Sequence, residues 1–381
     1  MSIRYTTAGD SHGETLVGIV EGLPAGVKVA IKSIEKDLAR RRGPYGRSSR
    51  QIVENDSVSL VSGMWKGRTT GAPIGVLVPN RARTVKGRTG GGLGTIPRPG
   101  HADLAGMLKY GLDSVPPVAE RASARGTAMV VAIGALARTI LKLMSIEIAG
   151  HVTRIGDVDA PSRADDSPAA IRRRAGRSLA YCADPTASRR MVDAIRTARR
   201  EGNSLGGSIE VVAGGVPPGL GSHAYRDRGL DSALAAAMMS IQSAKAVEIG
   251  DGMATSAVPG IDAHDAMRVA GGRVIRDTNR AGGIEGGMTN GENVVVHVFA
   301  KPIPTAQRRV ATFDTKTRKP ADSPYVRSDV CVVPAFSVIA EAAAAWEILR
   351  AVMDKFGGDH IDDTLAALTR YTQMIRRRLR P

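Results

Sequence analysis

The chain has 381 residues, enough for one large domain or two ordinary ones, and 43% of them are hydrophobic, as in soluble globular proteins. Lys and Arg number 53 against 37 Asp and Glu, and this net charge of +16 suits either nucleic acid or small phosphorylated ligands. Aromatic residues make up only 3% and the arginines are spread along the chain, which disfavours a base-stacking nucleic-acid surface. For most individual arginines, an ordinary basic surface explains the charge equally well.

The cysteines and the apolar runs narrow the class of protein further. Cys182 and Cys331 are the two cysteines and lie far apart, so neither a zinc site nor a disulfide framework is indicated. The N-terminal segment lacks the apolar core of a signal peptide, and the longest apolar run, Ala128–Ala137, is too short to span a bilayer. We therefore expect a cytoplasmic protein that does not enter a membrane.

In the first half of the chain, short β-branched runs and turn residues predict strands, and one long apolar stretch predicts a helix. The predicted elements are a hairpin of Leu16–Glu21 and Val27–Ile31, a helix capped by Ser33 that ends near Gly43, strands at Val58–Ser62 and Ile74–Val78, a Gly-rich loop over residues 81–100, and one buried helix over Val118–Met144. Gly126 and Gly134 within that helix suggest close packing, since each would cost about 1 kcal/mol relative to Ala.

The second half repeats this mixture of strands and apolar helices. Its predicted elements are a polar excursion over residues 157–178, a helix at Met191–Glu201, a strand at Ser208–Ala213, a buried helix at Leu230–Val247, a strand at Asn293–Ala300, an apolar helix at Ser337–Phe356 and a surface helix end at Arg370–Arg380. Runs of strands with buried helices between them favour an α+β fold over alternating βαβ units. Because no convincing linker is present, we expect a single domain over residues 1–381.

Two histidines next to glycines are candidates for proton transfer. His12 lies in Gly9-Asp-Ser-His-Gly13, and His101 lies in Arg98-Pro-Gly-His-Ala-Asp103. Imidazole titrates near neutral pH, as a general acid must, and the neighbouring glycines leave room for a ligand. Taken alone, a structural histidine in a turn is the favoured explanation of either motif.

Clustered arginines and paired glycines are candidates for anion binding. Arg40-Arg-Arg-Gly-Pro-Tyr-Gly-Arg47 and Arg50 place guanidinium groups beside glycines, and Glu120-Arg-Ala-Ser-Ala-Arg125 places small residues between two arginines. Later in the chain, Asn279–Gly291, Lys301–Thr305 and Arg327–Asp329 combine exposed backbone amides with cations. None of these is a P-loop or a dinucleotide fingerprint, and each alone is equally a solvated charged face or an ordinary helix start.

Taken together and in this order, the motifs resemble the chorismate synthase family. Three signatures carry the resemblance: Gly9–Gly13 continuing to Glu21–Pro24, Arg121–Arg125, and Arg327–Cys331 leading to Glu341. The resemblance runs from about residue 3 to about residue 360. It implies long central helices between antiparallel sheets, a homotetramer, and a reaction that requires reduced FMN. That reaction is an anti-1,4-elimination of phosphate from 5-enolpyruvylshikimate 3-phosphate, with no net redox change.

The resemblance also implies roles for particular residues. His12 matches the histidine proposed to protonate the leaving phosphate, His101 the one proposed to protonate the reduced flavin, and Asp329 the carboxylate that assists at flavin N5. Residues that match the anion-binding positions are Arg41, Arg47, Arg50 and Arg125. Residues that match positions lining the FMN are Arg121, Ala122, Ser123, Gln242, Ser243, Gly286, Lys301, Pro302, Ile303, Pro304, Thr305 and Arg327.

The sequence departs from the family pattern at supporting positions. Gly126 stands where the family has Glu, Ala246 where it has Gly, and Ala266 where it has Glu, while the loop from Asn80 to Pro97 is short. Flavin affinity or substrate choice could therefore differ. A divergent paralogue acting on a related phosphorylated enolpyruvyl substrate and a non-catalytic flavin-binding protein remain as alternatives. Because no reductase segment is visible, we expect an external flavin reductant rather than reduction by NADPH on this chain.

Overall fold

The computed structural model describes residues 3–47, 54–81, 93–271, 273–325 and 329–379. Arg50, Arg327 and the part of the Gly-rich loop over residues 82–92 lie outside the described residues.

Two antiparallel sheets contain most of the strand residues. The strands are β1 (Arg4–Ala8), β2 (Thr15–Glu21), β3 (Ser59–Leu60), β4 (Met64–Trp65), β5 (Arg68–Thr69), β6 (Ile74–Pro79), β7 (Glu147–Ile155), β8 (Val158–Asp159), β9 (Gly207–Gly214), β10 (Ala244–Ile249), β11 (Met267–Ala270), β12 (Arg273–Arg276), β13 (Ile284–Glu285), β14 (Met288–Thr289), β15 (Val294–Ala300), β16 (Ala311–Phe313) and β17 (Pro320–Asp322). One sheet has the order β1-β2-β6-β3 and the other β10-β15-β9-β7-β8, while the remaining strands form two-stranded hairpins.

The helices range from single turns to a 24-residue helix in the core. They are α1 (Ile31–Arg42), α2 (Asp103–Tyr110), α3 (Pro116–Ala122), α4 (Thr127–Leu143), α5 (Pro168–Ala175), α6 (Pro185–Arg200), α7 (Leu230–Met239), α8 (Gly252–Thr255), α9 (Gly260–Ala263), α10 (Val333–Phe356) and α11 (Ile361–Arg378). Helices α4 and α10 pack on each other, with α4 against the four-stranded sheet and α10 against the five-stranded sheet. The predicted α+β arrangement of antiparallel sheets around long helices is thereby confirmed.

Small residues allow the two central helices to approach closely. A Cβ added to Gly134 of α4 would lie 2.4 Å from the Cβ of Ala342 and 2.5 Å from its carbonyl oxygen, both on α10. Contacts this short do not occur between real side chains, so glycine is required where the backbones cross. The stretch Pro116–Leu143 is long and apolar enough to span a membrane by composition, but 67% of its most apolar window is buried in the protein, as in a core helix.

Several predicted elements are confirmed. Helix α10 covers the predicted 337–356 and begins four residues earlier, while β15 and β9 cover the predicted strands at 293–300 and 208–213. Strand β6 covers the predicted 74–78, but β3 is reduced to two residues of the predicted 58–62. Helix α6 includes the predicted 191–200 and begins six residues earlier at Pro185, where the Asp184 carboxylate caps it. Helix α11 contains the predicted basic helix end up to Arg378.

The predicted hairpin near the N-terminus is wrong. Strand β2 pairs with β1 and β6, whereas Val27–Ile31 forms only an isolated bridge, from Lys28 to Arg68, before α1 begins. The run Arg4–Ala8 has no apolar alternation that would have marked it as a strand. Ser33 does not cap α1 either, since it lies inside a helix whose N-cap is Ala30.

Three further predictions require correction. The predicted helix over Val118–Met144 is interrupted at Ser123, and the predicted helix over Leu230–Val247 ends at Met239 and continues as strand β10. Apolar residues alone do not distinguish a buried helix from a buried strand, which explains the second error. The segment 157–178 is not an excursion from the fold, because its helix α5 packs on β7 and buries Ile171 against Ala149 and Val212.

Candidate active site

His12 lies in the turn between β1 and β2 and is held by a carboxylate. Its Nδ1 is 2.7 Å from Oε1 of Glu120, and its backbone N–H donates to Oε2 of the same residue at 2.8 Å. The turn needs Gly9, which has a φ of +106° and whose added Cβ would meet the carbonyl oxygen of Thr15 at 2.5 Å. The His12 side chain is 32% exposed. Because Glu120 fixes the Nδ1 edge, Nε2 is the nitrogen that can exchange a proton with a ligand.

The interruption at Ser123 brings α3 against this turn. Ser123 has an extended backbone (φ −62°, ψ 140°), and a short 3-10 turn over Ala124–Gly126 precedes α4. Its hydroxyl accepts from the backbone N–H of Arg125 and donates to the Ser11 hydroxyl at 3.1 Å. Glu120 at the end of α3 and Ser123 at the break thus both contact the turn that carries Ser11 and His12. The sequence prediction missed this break.

Arg125 belongs to a buried network that supports the His12 turn. Its guanidinium contacts the Asp56 carboxylate at 2.5 Å and donates to the Asn80 side-chain oxygen at 2.7 Å. The Asn80 amide in turn donates to the carbonyl oxygens of Asp10 and Gly13. Arg125 is 6% exposed, so its structural contacts are to protein groups. Its predicted role in anion binding stays a prediction.

Arg41 and Arg47 bring further positive charge to the same region. Arg41 is 2% exposed and donates to the Thr127 hydroxyl and the Ala124 carbonyl, both at 2.9 Å. Burial and the nearby charge of Arg47 lower the pKa of Arg41 to about 9. Nη1 of Arg41 lies 3.8 Å from Oδ2 of the buried Asp56 carboxylate. The clustered guanidinium groups favour an anionic ligand through their charge.

Asp329, the third predicted catalytic residue, joins this group. Its carboxylate lies 2.8 Å from Nη1 of Arg47, and both side chains are largely buried. The structure thus collects His12, Arg41, Arg47 and Asp329 from distant positions in the sequence.

His101 is also paired with a carboxylate. Its Nδ1 lies 2.5 Å from Oδ1 of Asp103, and Nε of Arg98 lies 2.7 Å from Oδ2. Burial opposes ionisation of Asp103, but the hydrogen bonds from Arg98 and His101 outweigh it and hold the pKa of this carboxyl below its usual range. Both candidate histidines therefore have Nδ1 on a carboxylate, an arrangement that orients the ring.

Predicted flavin-lining residues lie next to His101. Lys301 Nζ donates to the carbonyl oxygen of Gly100, and a Cβ added to Gly100 would lie 3.7 Å from Pro304. The backbone N–H of Lys301 donates to the carbonyl of Ser243, which has a left-handed φ of +77°. Such a conformation is uncommon outside glycine and is often found at functional positions. Three segments of the predicted site thus meet at the His101 turn.

Arg121 and Gln242 line a cavity of about 400 Å³ between α3, α4, α7 and α10. Arg121 donates to the Thr7 carbonyl and hydroxyl at 2.9 and 3.0 Å. Gly126, where the family has Glu, also lines this cavity. Gly286 lies apart, in the turn between β13 and β14, and no hydrogen bond or ion pair of the described residues joins it to either histidine.

Sequence reasoning missed the residues that orient the candidate catalytic groups. Glu120 and Asp103 were visible in their motifs, and the His-x-Asp spacing of the second is a signal that could have been used. Glu54 and Asp56 gave no such signal, because their pairing with Arg125 joins residues about 70 positions apart.

These residues fit a flavin phosphate and a phosphorylated substrate. The guanidinium groups of Arg41 and Arg47 attract anionic groups, and Lys301 adds a cation beside the close approach at Gly100. The cavity lined by Arg121 and Gln242 is of the size of small-molecule sites. Two histidines on carboxylates supply groups for proton transfer. Together they describe an enzyme site for anionic small molecules.

Comparison with known proteins gives the family. A family model described as chorismate synthase matches residues 3–353. The chorismate synthases of Symbiobacterium thermophilum and Moorella thermoacetica are 48% and 47% identical to this chain, covering 99% and 98% of it and 100% of each relative. A crystal structure of a chorismate synthase superposes with a TM-score of 0.82 at 32% identity and covers 99% of both chains. The chain belongs to the chorismate synthase family. Its activity is accordingly that of a carbon–oxygen lyase of the shikimate pathway, in a family that uses reduced FMN.

Proposed function

We propose that this chain binds reduced FMN and converts 5-enolpyruvylshikimate 3-phosphate into chorismate by anti-1,4-elimination of phosphate. The observation that carries the proposal is the His12–Glu120 pair, which lies on the same turn-and-helix junction as the buried arginines. A phosphate leaving group needs both a proton donor and cations, and this junction offers both.

His12 is the proposed proton donor to the leaving phosphate. Glu120 holds its Nδ1 at 2.7 Å, so the ring is oriented with Nε2 directed away from Glu120. The proton is then delivered from Nε2. After the transfer, the neutral imidazole keeps its Nδ1–H hydrogen bond to Glu120 and remains in place.

Arg41 and Arg47, with Arg50 and Arg125, are the proposed cations for the substrate phosphate and carboxylate. Arg41 is positioned by Thr127 and Ala124, and Arg47 by Asp329. A bound anion would compete with Asp56 for the Arg41 guanidinium group and with Asp329 for that of Arg47. The buried setting strengthens each such hydrogen bond relative to water.

The proposed flavin residues come from several segments, of which the ones at Ser243 and Lys301 lie beside the His101 turn. Arg121, Ala122, Ser123, Gln242, Ser243, Gly286, Lys301 to Thr305 and Arg327 would hold the cofactor, which supplies electron density to an elimination without net redox change. His101, oriented by Asp103, would hold a proton beside it, and Asp329 would provide the second carboxylate. We further infer a homotetramer from the family resemblance, and a single domain, a cytoplasmic location and an external reductant from the sequence features described above.

The direct test is an anaerobic assay of chorismate formation with dithionite-reduced FMN. The wild type is expected to turn over, and His12→Ala is expected to lose about 100-fold or more in kcat, the usual contribution of a general acid. His264→Ala, at an exposed histidine outside the candidate site, is the matched control and should retain full activity. Wild-type turnover together with an unimpaired His12→Ala variant would overturn the assignment of the proton donor. No product from the wild type, despite binding of reduced FMN, would overturn the proposed substrate.

A further inference from the structure

A second large cavity lies away from the candidate active site, between the end of α5 and the beginning of α6. Its volume is about 810 Å³, within the range of small-molecule sites. Five arginines line it: Arg163, Arg174, Arg177, Arg189 and Arg196. None of the residues proposed for catalysis or for flavin or substrate binding is among its lining residues.

The charge of the cavity is positive even after its internal ion pairs are considered. Asp166 pairs with Arg174, Asp184 lies 3.6 Å from Arg163, and Asp193 lies 3.0 Å from Arg196. Five arginines therefore face three aspartates, which leaves an excess of two positive charges. The beginning of α6, a 16-residue helix, adds the positive end of its dipole.

Arg163 adds a guanidinium group that its carboxylate neighbours hold only loosely. Its Nη2 lies 3.6 Å from Asp184 and its Nη1 lies 4.0 Å from Asp166, both beyond hydrogen-bond distance, and the side chain is 28% exposed. An anion in the cavity can therefore compete for this guanidinium group.

The remaining walls of the cavity are apolar. Leu179, Cys182 and Val192 line it. The turn that carries Leu179 and Cys182 is shaped by Ser178, whose hydroxyl accepts from the backbone N–H of Cys182 at 3.1 Å and bonds to the Ser188 hydroxyl at 2.6 Å. A ligand that bears only charge would leave the Leu179 side chain, which is 59% exposed, in contact with water, so an apolar body is favoured.

Tyr45 is the point at which this cavity meets the candidate active site. Its N–H donates to the Leu179 carbonyl at 3.0 Å, and the Arg196 guanidinium lies 5.8 Å from its ring centre. Arg47 follows two residues later and points to Asp329. The cavity is thus next to the substrate arginines but separate from them.

We propose that this cavity is a second ligand site, which binds a small organic dianion with an apolar body. Two negative charges match the excess of positive charge, and the apolar part covers Leu179 and Val192. The proposal does not depend on the proposed function, since it concerns binding alone.

Isothermal titration with phenyl phosphate, a dianion carrying an aromatic ring, tests the proposal. The variant Arg177→Ala with Arg189→Ala removes two exposed cavity arginines, and Arg376→Ala with Arg377→Ala makes the same change on the exposed face of α11. At one site, the cavity variant is expected to bind phenyl phosphate about tenfold more weakly than the wild type does. The α11 variant is expected to bind it with the affinity of the wild type. Equal binding by all three proteins would overturn the proposal.

Two further titrations complete the test. Arg47→Ala should keep the cavity binding, and loss of the binding in this variant instead of the cavity variant would assign it to the candidate active site and overturn the proposal. Inorganic phosphate should bind the wild-type cavity several-fold more weakly than phenyl phosphate does. Equal affinity for the two would overturn the role of the apolar walls.

Discussion

Glu120→Gln removes the negative charge that orients His12 while keeping the shape of the side chain. Glu120 accepts two hydrogen bonds from His12, at 2.7 Å from Nδ1 and at 2.8 Å from the backbone N–H. The side-chain oxygen of glutamine can replace only one of them well, and it lacks the charge that stabilises a protonated ring. A hydrogen bond to a charged group contributes about 1.5–3 kcal/mol. Since the His12 side chain is 32% exposed, we take the lower half of that range.

This magnitude corresponds to a decrease of about 10- to 40-fold in kcat, because about 1.4 kcal/mol is a factor of ten. KM should change little, since Glu120 acts through His12 on the leaving group and not on substrate binding. The assay is steady-state chorismate formation under anaerobic conditions with reduced FMN. Glu201→Gln, at an exposed carboxylate at the end of α6, is the matched control. A Glu120→Gln variant with wild-type kcat, or one with raised KM alone, would refute the positioning role.

Three other substitutions test the packing and electrostatics around the site. Asp103→Asn should cost about 1.5–3 kcal/mol of unfolding free energy at pH 7. The pKa of Asp103 is depressed in the folded protein, so its stabilisation is present above the unfolded-state value and lost as the pH falls through the folded-state value. The difference in free energy of unfolding between the wild type and Asp103→Asn, measured with urea, should therefore shrink below about pH 4. A difference that grows as the pH falls would contradict this. Gly134→Ala should lower the free energy of unfolding by about 1–3 kcal/mol, because the new methyl group would overlap Ala342. This loss outweighs the gain in helix propensity. Gly126→Ala, whose methyl group meets no such clash, is the control. Gly126→Glu should raise the melting temperature by several degrees, because it replaces a glycine at the start of α4 and places a carboxylate near Arg121. A lower melting temperature would show that glycine is required at this position.

The sequence was informative where a single physical signal dominated. Helix α10 and strand β15 were predicted correctly. The apolar stretch of α10 is too long for a strand, and the pattern of β15 is regular enough to exclude a helix. The order of the motifs also predicted the family, which the comparisons confirmed.

The errors occurred where tertiary contacts override local pattern. Ser123 lies within an apolar stretch with helical spacing, and its extended backbone is stabilised by contacts to Arg125 and to Ser11, more than 100 residues away. Strand β1 has a polar, unremarkable sequence and is defined by its pairing with β2. Local propensity contains no information about such partners.

The candidate site shows the same division. The sequence indicated which residue types could transfer protons and bind anions, namely His12, His101 and the arginines. It did not indicate that Glu120 would hold His12, or that Asp56 and Asn80 would hold Arg125 beneath the same turn. Those pairings join residues 45 to 108 positions apart, which local sequence patterns do not specify.

The measurement that tests the central claim most directly is the stoichiometry of the reaction with a limiting amount of reduced FMN. Under anaerobic conditions, chorismate and phosphate should be released from 5-enolpyruvylshikimate 3-phosphate in equal amounts. Both should continue to accumulate well beyond the amount of flavin present, because the elimination involves no net redox change. Release of phosphate without chorismate, or a yield limited to the amount of flavin, would contradict the account.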